Sequence, residues 1–157
     1  MVLGNLIGHG APLLADKVDY PFAKEKVFLA GLIEKDLIPK DQAVNQLDLQ
    51  FATPKELKKN FDTINAWLDE QKIDYLVVHF DLDVLSPEDF CSIYPAEPYL
   101  KSFDAAVGEM TLEEITNLLL EVSKKAEIVG LTIAEHLPWD AFRLRNSLAK
   151  LSLFKES

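Results

Sequence analysis

The sequence predicts an α/β domain built on a mainly parallel sheet. Three observations carry this. Apolar, β-branched and aromatic runs at 26–32, 74–83 and 127–136 read as strands, and the continuity of the second marks a strand covered on both faces. Between and after them lie stretches whose apolar residues recur at three- and four-residue spacing, the signature of helices with one buried face. Strands alternating with helices imply right-handed crossovers and therefore parallel pairing.

Taken in order, residues 1–12 read as a loop, because Gly4, Gly8 and Gly10 punctuate an apolar segment with no preceding strand. Such a start looks like the middle of a fold. Residues 26–32 form a short buried strand. Residues 36–47 stay open, with a short helix after Pro39 as one reading. Thr53-Pro54-Lys55-Glu56 starts a helix: Thr as N-cap, Pro at the first position, Glu three after the cap. Leu57, Phe61, Ile64 and Leu68, with Trp67 beside them, give that helix one apolar face to about Glu70. The strand from Asp74 follows. Residues 86–107 form a long connection with Pro87, Pro95 and Pro98, and long ordered loops tend to carry function. Glu97 and Tyr99 are pocket-wall residues or plain loop packing.

A second capping box, Thr111-Leu112-Glu113-Glu114, opens a helix within 108–124. Leu112, Ile115, Leu118, Leu119 and Val122 form its buried stripe. Residues 127–136 read as another strand, ending in Glu135 and His136, of which only one can face a given site. A closing helix over 138–151 turns Leu144, Leu148 and Leu151 inward and leaves Arg143 and Arg145 largely solvated.

The chain has 157 residues, 48% of them apolar, which suits one domain over 1–157 with a real core. A formal net charge of −10 argues against nucleic acid and anionic membranes as partners. Cys91 is the only cysteine, so no internal disulfide forms, which suits a reducing compartment. The first residues lack the basic start of a signal peptide, and no apolar run approaches the ~20 residues of a membrane helix. The expected location is the cytoplasm.

The chemistry concentrates where the strand from Asp74 ends, at His79-Phe80-Asp81-Leu82-Asp83. On an extended chain Asp81 and Asp83 point to one face. Two converging carboxylates repel unless a proton or cation sits between them, and a hard divalent cation resolves this. The plain alternative is an Asp-rich turn. An apolar Leu82 between them favours a strand still inside the fold. Asp81, Asp83 and Glu135 all fall at strand C-termini, the edge of an α/β sheet where ligands bind. His9, flanked by glycines, is a functional imidazole or an exposed loop residue.

The Phe-Asp-Leu-Asp segment resembles two families. One is the haloacid-dehalogenase-like phosphatases, whose first motif is a strand ending in Asp-x-Asp. Here Val84-Leu85-Ser86-Pro87 follows instead of their turn, and no later acidic pair appears. The other resemblance spans nearly the whole chain. His79 to Asp83, then Pro87, is similar to the second metal-binding signature of the ureohydrolases, the arginase, agmatinase and formimidoylglutamase family. Gly130 to Asp140 looks like that family's last core strand and the turn into its final helix. Gly4-Asn5 through His9-Gly10-Ala11-Pro12 is similar to its Gly-rich loop carrying an active-site His.

The resemblance implies a three-layer α/β/α sandwich with a mainly parallel sheet, the partial arginase-like fold. It implies a site with two manganese ions bridged by a hydroxide that attacks a guanidinium or amidine carbon. Asp81 and Asp83 would be metal ligands. Glu135 would bind the guanidino or formimino substrate through a charge-assisted hydrogen bond. His9 would shuttle protons. His79 stands where the family usually has Ser or Thr. The family's Gly-Gly-Asp-His and Asp-Ala-His-x-Asp ligand segments are not in this chain, whose three histidines are His9, His79 and His136. The expectation is therefore a C-terminal half with an incomplete ligand set and little activity alone. A different expectation is an α/β interaction module that pairs with itself or with a missing N-terminal half.

Overall fold

The computed structural model describes residues 2–37, 39, 46–101 and 105–154. The short helix considered after Pro39 lies outside the described residues. The elements are helices α1 (Val2–Leu6) and α2 (Pro12–Ala15), strands β1 (Phe28–Ala30) and β2 (Gln50–Ala52), and helices α3 (Pro54–Lys59) and α4 (Asp62–Gln71). They continue with strand β3 (Tyr75–Asp81), helix α5 (Leu112–Val122), strand β4 (Glu127–Ala134) and helix α6 (Ala141–Leu148). This is an α/β fold whose described strands all pair in parallel: β1 with β2, and β3 with β4, as two two-stranded sheets.

Several expectations change in detail. The opening segment is helical over Val2–Leu6 rather than loop, and it closes at Gly8, whose φ of 78° is one glycine adopts freely. Strand β2 had no signal of its own; it is three residues long and takes its pairing from β1. The helix expected from Thr53 to Glu70 is two helices. The Thr53 capping box is present, but α3 ends at Asn60, whose backbone is fully extended and whose side-chain oxygen accepts from Asp62 N at 3.2 Å. Asn breaks the periodicity by offering the chain that local bond.

Most of the buried apolar residues among those described form a single cluster. Ile64, Trp67 and Leu68 of α4, the α5 stripe, Phe80, Ile128 and Leu144 are buried in it with Leu151. The Trp67 indole donates to Glu25 O at 2.8 Å and its ring lies 5.3 Å from Phe28, so this Trp is core. At the centre sits the connection after β3: Leu82, Leu85, Phe90, Ile93 and Met110 are essentially without exposure.

β3 is not covered on both faces. Its exposure alternates, and Tyr75 (69% exposed) and Val77 (62%) stand out on the same side as His79 and Asp81, while Phe80 is buried on the other. Among the described residues no helix is long and apolar enough to cross a membrane.

Candidate functional site

The parallel register of β3 and β4 pairs Asp81 with Ala134. Both strands therefore end at the same rim, and Glu135 follows directly on Ala134. Glu135 has a φ of 61°, a left-handed conformation uncommon for a side chain with a Cβ, and it turns the chain out of β4. β4 thus stops before His136, which is exposed.

Asp81 and Asp83 come together by a different route from strand alternation. β3 ends at Asp81, which caps a 3-10 turn over Leu82–Val84. Its Oδ1 accepts from Asp83 N at 3.1 Å. Leu82 is fully buried beneath the turn, as its apolar character demanded, though not on a strand. The turn is gripped from both sides. Met110 N donates to Val84 O at 3.2 Å, and Ser86 N donates to Met110 O at 2.7 Å. Gly108 lies so close that a Cβ there would stand 2.3 Å from Asp83 O. Gly31, at φ 90°, faces Val84, whose Cγ2 would be 2.5 Å from a Cβ.

The consequence is electrostatic. Among the described residues, Asp83 Oδ1 is buried without a hydrogen-bond partner. Burial first, then repulsion from Asp81 and from Glu135, together push the Asp83 carboxyl up from 3.8 to about 6. The three carboxylates thus feel one another at one rim, with Asp83 short of positive charge. A carboxylate pair in that condition fits a hard divalent cation as an oxygen-donor set. Among the described residues no group of three or more His, Cys, Asp or Glu side chains is arranged to hold a metal ion. The pair fits a cation as part of a ligand set rather than a whole one.

The other predicted residues are placed as follows. His9 is exposed beyond α1, with its backbone N donating to Gly4 O at 2.7 Å, and no hydrogen bond or ion pair joins its ring to the three carboxylates. Glu97 is exposed and Tyr99 is 99% exposed, so neither forms a pocket wall. Arg143 is not simply solvated: it pairs with Asp89 at 3.0 Å and also donates to the Asp89 carbonyl. Asp89 in turn accepts from Leu112 N at 2.9 Å, tying α5 and α6 to the loop. Arg145 is exposed as expected. Ser92, fully buried, holds the turn after Glu135: its carbonyl accepts from Leu137 N at 2.8 Å and its hydroxyl accepts from Asp140 N. These positioning residues gave no sequence signal, because their partners lie 23 to 54 residues away.

No family model matches the sequence, and no curated protein matches it. Solved structures do. Arginase from Bacillus subtilis superposes with a TM-score of 0.72 at 18% identity, over 99% of this chain and 53% of that one. Arginase from Entamoeba histolytica, solved with L-ornithine, gives 0.70 at 19% identity, over 99% and 52%. Formimidoylglutamase from Bacillus subtilis gives 0.59 at 18% identity, over 90% and 43%. The chain therefore carries a partial arginase-like fold, of the kind that ureohydrolase structures share. It spans about half the length of the arginases it matches.

Proposed function

We propose that this chain provides the carboxylate side of an arginase-family hydrolase site that cleaves a guanidino or amidine C–N bond. The observation that carries the reading is the gathering of Asp81, Asp83 and Glu135 at one strand-end rim, with a buried, unpartnered Asp83 oxygen. Asp81 and Asp83 are the residues that would hold a divalent cation, manganese by family resemblance. When bound, such a cation supplies Lewis-acid activation of water near neutral pH. Glu135 would accept hydrogen bonds from the planar cationic end of the substrate. His9 would move a proton, as the family resemblance implies. Ser92 and Gly108 hold the two turns that present the carboxylates.

Two carboxylates alone bind such a cation weakly, because neither geometry nor charge is completed. The isolated chain should therefore show little or no turnover. The single exposed cysteine suits a reducing compartment such as the cytoplasm. The test is urea or formamide release from arginine, agmatine and formiminoglutamate across a manganese titration. Robust turnover by the chain alone would overturn the half-site reading. Turnover restored by adding a polypeptide that carries the missing ligand segments would support it.

A second reading is favoured by the bare apolar face of β3 and β4. In it the chain is a non-catalytic α/β module that associates through that face, with itself or with the remainder of an arginase-like fold.

A further inference from the structure

Among the metal-ligating side chains that the proposed site leaves unused is His79. It lies on β3 two residues before Asp81, so the two side chains share the exposed face of the strand. Its register partner across the sheet is Thr132. The His79 Nδ1 and the Thr132 Oγ1 are 2.7 Å apart. That contact fixes the plane of an otherwise solvent-facing ring. It also occupies one ring nitrogen, and among the described residues Nε2 has no hydrogen-bond partner. The Thr132 hydroxyl can serve as donor or acceptor; in the tautomer where it accepts from Nδ1–H the lone pair is on Nε2, the arrangement by which outer partners orient metal-binding imidazoles.

We infer that His79 is a nitrogen donor, through Nε2, to a divalent cation held with Asp81, and that Thr132 positions it. The inference rests on Asp81 being a cation ligand, as proposed above. Its new content is the chemical class of the cation. An imidazole beside a carboxylate moves preference from manganese, which favours all-oxygen shells, toward zinc and cobalt, which favour mixed nitrogen and oxygen shells. His79 and Asp81 give two protein donors, and water completes the shell.

The test titrates Zn2+ and Mn2+ by calorimetry into the full chain and into its His79→Ala, Thr132→Val and Asp81→Asn variants. Histidine ring nitrogens are followed in parallel by long-range proton–nitrogen NMR. Removing His79 should weaken Zn2+ on the order of tenfold or more, with a smaller change for Mn2+. Thr132→Val should weaken Zn2+ by less, since the ring remains. Zn2+ should shift the His79 Nε2 resonance in the unsubstituted chain, a readout that holds even if the alanine variant fails to fold. Loss of Zn2+ in Asp81→Asn with none in His79→Ala, or saturation without any Nε2 shift, overturns the role of His79 alone. No loss in either variant overturns the carboxylate site beneath it as well.

Discussion

At the scale of single residues, Asp83 decides how the site behaves without a cation. Its folded carboxyl titrates at about 6 against 3.8 for the free side chain, chiefly because burial disfavours the ion. Below pH 3.8 the group is neutral in both states and costs nothing. Between 3.8 and about 6 the folded chain holds the extra proton, so stability falls as pH rises through that window, and above it the full penalty applies. Asp83→Asn should therefore stabilise the chelator-treated chain at pH 7 to 8. Because the carboxyl is partly solvated, the gain is about 1 kcal/mol. Thermal melts from pH 3.5 to 8 check this: the variant should lose the decline between 4 and 6, and a parallel decline in both chains refutes the assignment. On the proposed function, the same substitution should weaken divalent-cation binding. The carboxylate pair was legible in the sequence as Asp-Leu-Asp, but its geometry was not. Strand alternation and an Asp-capped turn both bring residues i and i+2 together, and only the turn lets Asp81 bond the Asp83 amide.

At the scale of elements, what holds the turn at Leu82–Val84 is the backbone passing at Gly108 and Met110. Gly108→Ala should cost about 2 kcal/mol, since the new methyl meets Asp83 O and Val84 C, backbone atoms that cannot step aside. Melting temperature reads the loss, and divalent-cation binding should fall with it. An alanine variant as stable as the parent would mean that this seam is loose. The helices were readable wherever caps and periodicity coincided: both Thr-x-x-Glu boxes form as expected, and α5 buries the stripe written into it. Reading failed where pairing came from afar. Gln50–Ala52 is a strand only because β1 lies beside it, and the break at Asn60 turns on a side-chain bond that competes with the helix.

At the scale of the whole molecule, the parallel α/β plan was visible from the order of apolar runs, and the superposition on arginases bears it out. The coverage of both sheet faces was not visible, because an uninterrupted apolar run cannot say whether its cover is present. Tyr75, Val77 and Val129 are instead exposed on β3 and β4. An open apolar face of this kind invites association. The chain should therefore scatter light above its monomer mass at micromolar concentration, and Val77→Lys should return it toward monomer while leaving its circular dichroism unchanged. A clean monomer in the parent would argue against the interaction-module reading. The close passage of Gly108 over the Asp83 carbonyl has a further practical meaning. The short Asp-Leu-Asp signature cannot be transplanted by itself into a foreign scaffold and keep its shape. A graft must also bring a segment equivalent to 108–110 with glycine at the close approach, contributed from a distant part of the chain, or the acidic pair will relax into an ordinary surface bend.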